Sequence, residues 1–333
     1  MTPFARWFGQ ASLVLMFACC FTGCKKQTSE TPATPASDGT AKEKKKFVVG
    51  FSQIGAESGW RTAETESIRS EAAKRGIDLR FSDAQQKQEN QIKALRAFVA
   101  QNVDAIILAP VVEAGWEPVL REVKQAGIPV VLVDRGINVS DNSLYATLIA
   151  SDFVEEGRRA GEWLAKKLNG KGNIVEIQGT AGAAPAIDRK KGFEEGVTKY
   201  PELKIVKTQT GEFTRAKGKE VMEAFLKGSK NIQAVYAHND DMALGAIQAI
   251  EEAGLKPGTD IIVVSIDAVH DAFEAMVEGK LNCTVECNPL LGPAAFDAVE
   301  AIRSGKTVPK KTVVQDQLFD QTNAKAAQPS RKY

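Results

Sequence analysis

The 333 residues, 43% hydrophobic and 26% charged, are enough for roughly two domains of about 150 residues each. A net charge of +1 gives no electrostatic reason to expect a nucleic-acid partner. Thirteen prolines and 27 glycines exclude a fibrous or wholly disordered chain.

The N-terminus stands apart from the rest of the chain. Arg6 supplies a positive charge ahead of an apolar run from Ala11 to Phe21. That run is shorter than the ~20 apolar residues a membrane-spanning helix needs, and it has the length of a signal-peptide core. It ends in Phe21-Thr22-Gly23-Cys24, small residues before a cysteine as in the lipobox of bacterial lipoproteins. Residues 1–23 are therefore expected to be a lipoprotein signal peptide, with Cys24 as the lipidation site. Residues 24–46, rich in Lys, Thr, Ser, Pro and Ala, cannot bury enough surface to order themselves and read as a lipid-anchored linker. As a flexible coil it reaches about 25 Å from the membrane.

From Phe47 onward, β-like apolar runs alternate with helical segments. Strands are expected at 47–52, 77–82, 105–109, 130–133 and 145–150, with helices at 61–74, 88–100 and 116–125 between them. After a helix at 153–168, strands recur at 174–177, 204–208, 234–237, 261–266 and 282–286. Helices at 190–199, 216–226, 242–252 and 272–278 separate these. Gly76, Gly127 and Gly254 each follow a helix where a left-handed cap is needed, and Pro129 and Pro257 come just after two of them. Alternation of this kind means βαβ units. The Val- and Ile-rich strands read as buried on both faces. There are too many units for one open sheet of ordinary size, so the fold class is α/β with two doubly wound parallel-sheet lobes.

Cys283 and Cys287, the cysteines beyond Cys24, lie on an extended segment about 13 Å apart, too far for a disulfide without a bend. They read as buried free thiols. His238 and His270 are the only histidines, and with no CxxC motif neither a metal nor a cofactor is expected. Trp116 and Trp163 read as packing residues, and Asp152, Asp188 and Asp240 as helix N-caps.

In open α/β sheets, ligands bind beyond the carboxyl ends of the strands. Those places hold Glu57, Ser58, Trp60 and Arg61, then Asp134 and Arg135, then Arg189, Phe213, Asn239 and Asp267. Planar carboxylates, amides and guanidinium groups suit the paired hydroxyls of a sugar, and Trp60 and Phe213 suit its apolar C–H face. Gly55 and Gly59 do not spell a phosphate-binding loop. Asp134 and Asp267 as a glycosidase pair find little support, because the sequence shows no contrast between their surroundings.

Several segments together carry a family resemblance. Among them are Gly50-Phe-Ser-Gln53 with Glu57-Ser-Gly-Trp-Arg61, Gln86 to Ile92, Gly115-Trp-Glu-Pro-Val119, Ala186 to Phe193, Gly211-Glu-Phe-Thr-Arg215 and Ala237 to Met242. From Phe47 to nearly the C-terminus the chain resembles the periplasmic sugar-binding proteins of ABC importers, the ribose-binding type of the type I clamp fold. The resemblance implies a non-enzymatic binder of a monosaccharide, galactofuranose being the first candidate, that acts as a monomer and delivers to an ABC permease. A sugar-sensing subunit for a chemoreceptor or sensor kinase is the alternative. The resemblance also implies an N-terminal lobe of residues 47–151 and 288–314, and a C-terminal lobe of 152–287 and 315–333. It places Asp134, Arg135, Arg189, Phe213, Asn239 and Asp267 at ligand positions, with Glu57 to Arg61 as a further wall. Cys287 stands where ribose binders carry an amide, and Ala268 where relatives carry Gly.

Overall fold

The computed structural model describes residues 46–333. The expected signal peptide, Cys24 and the expected linker up to residue 45 lie outside the described residues. The first half runs β1 (Val48–Gln53), α1 (Gly59–Lys74), β2 (Asp78–Asp83), α2 (Gln88–Ala100), β3 (Ala105–Leu108), α3 (Glu117–Gln125), β4 (Val130–Val133) and β5 (Thr147–Ala150). A second series continues the chain: α4 (Phe153–Lys167), β6 (Lys171–Gln178), α5 (Ala184–Val197), β7 (Glu202–Thr210), α6 (Arg215–Gly228), β8 (Ala234–Ala237), α7 (Asp240–Glu252), β9 (Ile262–Asp267), α8 (His270–Val277) and β10 (Cys283–Glu286). The chain ends with α9 (Gly292–Arg303), β11 (Lys311–Val313), β12 (Leu318–Asp320) and the short α10 (Ala324–Ala327).

These strands form two six-stranded sheets, ordered β11-β5-β4-β3-β1-β2 and β12-β10-β9-β8-β6-β7. Pairing is parallel except between β10 and β12. The chain passes between the sheets three times: after β5, after β10, and between β11 and β12. In both sheets the order reverses beside the first strand of the series, so the loops after β1 and β3, and after β6 and β8, open at topological switch points.

Period-two alternation explains how the first sheet is covered. Ile107, Val131 and Phe51 point to one face, where Ile68 of α1 and Phe296 of α9 pack on them. Ile106, Leu108 and Leu132 point to the other, against Leu95 of α2 and Leu120 of α3. Central strands are therefore apolar throughout, as βαβ burial requires. The edge strands β2 and β7 depart from that expectation: most of their residues are partly or fully exposed, because an edge has a neighbour on one side only.

Helix boundaries bring three corrections. α5 begins at Ala184, six residues earlier than expected, with Pro185 in its first turn, where the missing N–H costs nothing. Arg189 thus sits on a helix rather than at a strand end, and Asp188 caps nothing. The cap of α7 is Asn239, whose side chain accepts from the Met242 amide, whereas Asp240 turns inward. Asp152 does cap α4, accepting from the Glu155 amide. Gly76, Gly127 and Gly254 are left-handed as expected.

Candidate functional site

The loops beyond the carboxyl ends of both sheets face one another across a cleft of about 290 Å3. All ten candidates line it: Glu57 and Ser58 from the β1–α1 turn with Trp60 and Arg61 from the start of α1, Asp134 and Arg135 after β4, Arg189 from α5, and Phe213, Asn239 and Asp267 from the carboxyl ends of the second sheet. Pro185 and Cys287 complete the lining.

On one side, the Ser58 hydroxyl accepts from the Arg61 amide and starts α1, which aims Trp60 and Arg61 into the cleft. Arg61 is 3% exposed and spends its guanidinium on three carboxylates. Nε donates to Glu57 Oε1 at 3.0 Å, Nη2 to Asp134 Oδ2 at 2.7 Å, and Nη1 to Glu64 Oε2. Burial works to lower the Arg61 pKa, but Asp134, Glu64 and Glu57 together hold it well above its usual value. Arg135 has less company. It reaches the Val111 carbonyl at 2.9 Å and lies 3.4 Å from Asp134, and burial beside the Arg61 charge lowers it to about 10. Its Nε and the Oε2 of Glu57 are buried without a hydrogen-bond partner in the protein. Orphaned polar groups of this kind are costly unless a ligand completes them.

Across the cleft, Arg189 Nε donates to Glu156 Oε2 at 2.8 Å and Nη1 to the His238 carbonyl at 2.6 Å, while Nη2 stands 3.6 Å from Asp267 Oδ1. Burial pushes the Asp267 carboxyl well up, with Arg189 opposing. Arg189 can reach Glu156 because α4 and α5 touch backbone to backbone. A Cβ on Gly157 would lie 2.1 Å from the Arg189 carbonyl oxygen, and one on Gly192 would lie 1.9 Å from that of Val154. Asn239 donates Nδ2 to the Phe213 carbonyl at 3.2 Å, which sets the Phe213 ring beneath the Arg135 guanidinium, 5.1 Å away.

The two sides meet at Trp60, whose Nε1 donates to the Cys287 carbonyl at 2.5 Å and whose ring packs into the core of the second sheet. A second bridge joins the Gly59 amide to Asp241 Oδ2 at 2.9 Å, and a third joins the Glu113 amide to the Gly182 carbonyl. This is a closed clamp. Asp134, Phe213, Asp267 and Ala268 all have positive φ, a conformation that costs L residues about 1–3 kcal/mol and clusters where ligands are held.

Cys283 and Cys287 are free and buried, and His238 is a core residue paired with Glu176 at 2.9 Å. Trp116 is fully buried and Trp163 packs against the second core. The sequence reading missed Pro185, Cys287, Glu64 and Glu156. Cys287 was visible as an anomaly in a ligand loop. The two glutamates left no signal beyond the spacing of Glu64 from Arg61.

Two open, mostly parallel sheets, three crossings and a small polar cleft closed between them define a solute-binding clamp, and the chain belongs to the periplasmic binding protein family, whose domain matches residues 49–307. It is a solute-binding protein rather than an enzyme. The galactofuranose-binding protein YtfQ of Escherichia coli is 56% identical over 291 residues, 86% of this chain and 92% of that one. The binding component of the arabinose ABC transporter from Shewanella sp. ANA-3, solved with α- and β-L-arabinofuranose, is 58% identical with a TM-score of 0.84, covering 86% of this chain and 95% of that one. A Mycobacterium smegmatis protein in complex with β-D-fucofuranose is 55% identical with a TM-score of 0.85 over the same shares, 86% and 95%.

Proposed function

We propose that this protein captures a monosaccharide in its five-membered ring form, galactofuranose first among candidates, and delivers it to an ABC sugar importer. The observation that carries this reading is the pairing of guanidinium and carboxylate planes on both walls of a cleft of about 290 Å3, with Trp60 and Phe213 between them. Fixed planes match vicinal hydroxyls, the aromatic faces match ring C–H groups, and the orphaned Arg135 Nε and Glu57 Oε2 offer one donor and one acceptor. The ligands named for the three relatives are all furanoses. That shared ring is the reason to favour this form over a pyranose.

The test uses matched glycosides, which cannot change ring size. Methyl β-D-galactofuranoside and methyl β-D-galactopyranoside carry the same aglycone, so calorimetry with both isolates the ring. Binding of the furanoside alone is expected. Tighter binding of the pyranoside would overturn the reading.

The same reading makes Glu57, Ser58, Trp60, Arg61, Asp134, Arg135, Arg189, Phe213, Asn239 and Asp267 the ligand-binding set. Residues 47–151 with 288–314 form one lobe and 152–287 with 315–333 the other, and the mature protein works as a monomer. Export leaves the folded part in the periplasm or cell envelope, tethered through a lipid on Cys24 and the linker after it. Mass spectrometry of protein extracted from membranes should find a diacylglycerol-modified cysteine as the first mature residue. A water-soluble form cut elsewhere would remove the anchor from the reading.

A further inference from the structure

Behind each wall of the cleft stands a glutamate that does not line it. Glu64 is fully buried on α1, and its Oε2 accepts from Arg61 Nη1 and from Gln53 Nε2 at 3.0 Å. Glu156 is 2% exposed on α4, and its Oε2 accepts from Arg189 Nε at 2.8 Å. In both residues the second oxygen, Oε1, is buried with no hydrogen-bond partner in the protein. The two sides reach this arrangement by different routes. Glu64 lies one turn along the same helix as its arginine, whereas Glu156 and Arg189 come from helices that must touch to bring them together.

Burying a carboxylate with half its acceptors idle is a poor way to stabilise a fold, since apolar replacements of buried ion pairs are often neutral or better. It is a good way to hold a guanidinium. A free arginine side chain loses rotamer entropy when a ligand fixes it, and a carboxylate behind it meets that cost before the ligand arrives. We propose that Glu64 and Glu156 are positioning residues for solute capture, each holding from behind the arginine that its sheet presents to the cleft. This rests on the reading of the cleft as a sugar site.

Each glutamate is set to respond to pH. Burial raises Glu64 to about 7, with Arg61 lowering and Asp134 raising it, and Gln53 beside it. Burial likewise raises Glu156 to about 7, with Arg189 lowering it, Asp316 raising it and the Cys287 thiol close by. Tyr236 and Asp267 also lie within its field. A protonated carboxyl no longer attracts the guanidinium, so its hold weakens as pH falls through that range. Asp267 in the cleft is also pushed up by burial, so the telling quantity is the difference between variant and wild type.

The experiment measures Kd for methyl β-D-galactofuranoside from pH 5 to pH 8 in wild type, Glu64→Gln, Glu156→Gln and the charge-keeping Glu64→Asp and Glu156→Asp. Circular dichroism at each pH checks that the protein is folded. Wild type should weaken several-fold as pH falls. The Gln variants should bind at least fivefold more weakly at pH 8 and change less with pH. The Asp variants, with the charge drawn back by one methylene, should lose affinity yet keep the pH dependence, and they decide the matter if a Gln variant does not fold. Wild-type affinity and wild-type pH dependence in both Gln variants would overturn the inference while leaving the sugar site intact. Failure of the wild type to bind any furanose would remove the sugar reading and this inference with it.

Discussion

The indole nitrogen of Trp60 lies 2.5 Å from the carbonyl oxygen of Cys287, tying the first helix on one side of the cleft to the segment that leaves β10 on the other. Trp60 is 5% exposed in this closed form. A ring that bridges both sides while lining the cavity cannot keep the same surroundings when the clamp opens.

Adding sugar should therefore change tryptophan fluorescence, and Trp60→Phe should abolish most of that change. Trp116 and Trp163 stay in the variant and set the background. Removing the N–H leaves the Cys287 carbonyl buried and unpaired at about 1–3 kcal/mol, so affinity for the closed form should fall by roughly tenfold. A full-size fluorescence response surviving in Trp60→Phe would mean the signal arises elsewhere.

Asp134 is the shared counter-charge of Arg61 and Arg135, at 2.7 and 3.4 Å. Asp134→Asn keeps a residue type that tolerates its positive φ and removes only the charge. Two buried arginines then share less negative charge, and calorimetry should show affinity weakened by about tenfold or more. Asn239→Ala should weaken binding similarly by releasing Phe213, and should cost about 1 kcal/mol of stability through loss of the α7 cap. Unchanged affinity in both variants rules out this cleft as the binding site.

Asp240 offers a cleaner pH experiment than the cleft carboxylates, because its partners are neutral. It accepts from Ser265 Oγ, from Thr284 Oγ1 at 2.8 Å and from the Val269 amide at 2.9 Å, and burial pushes its carboxyl up to about 7 from an ordinary 3.8. A carboxyl raised on folding lends its stability in full below about pH 4 and loses it as pH rises through about 7. The stability of wild type relative to Asp240→Asn should accordingly decline from pH 4 to pH 7 in thermal unfolding. Parallel curves for the two proteins would contradict it.

Ala268 has φ of +61°, is fully buried, and comes directly after Asp267 at +129°. Ala268→Gly should raise stability by about 0.5–1 kcal/mol, relief of the left-handed strain outweighing the extra freedom of the unfolded chain. The same change frees the Asp267 loop, so a small loss of affinity should accompany the gain. A lower melting temperature in the ligand-free protein would show that this turn carries no strain.

Much of the fold and the cleft was legible in the sequence, for reasons that also mark where legibility stops. Central strands such as Val130–Val133 are apolar on both faces because helices cover both, so composition alone reveals them. β11 and β12 carry residues such as Lys311, Thr312 and Asp320 at the sheet margins and give no such signal. α9 begins with Gly292-Pro293, which reads as a break although proline fits the first turn of a helix. Ala183 to Ala186 reads as a turn for the same reason, which puts Arg189 at a strand end instead of on α5. In Asn239-Asp240-Asp241 three adjacent residues could each cap a helix, and only the inward turn of Asp240 decides between them. Most residues that face the cleft come just after strands, so the topology rule finds them. Glu156 depends on how closely two helices approach, which no local pattern encodes.

That approach has a consequence for how the clamp can be re-engineered. With Gly157 and Gly192 each leaving no space for a methyl group against the opposite backbone, α4 and α5 pack backbone to backbone as one unit, and a side chain at either glycine would force them apart. Whatever compliance opening requires must be found in the three crossings between the sheets. The crossings after β5 and between β11 and β12 contribute no residue to the cleft lining, so a biosensor built on this scaffold could be made faster or slower there while the residues that choose the cargo stay unchanged.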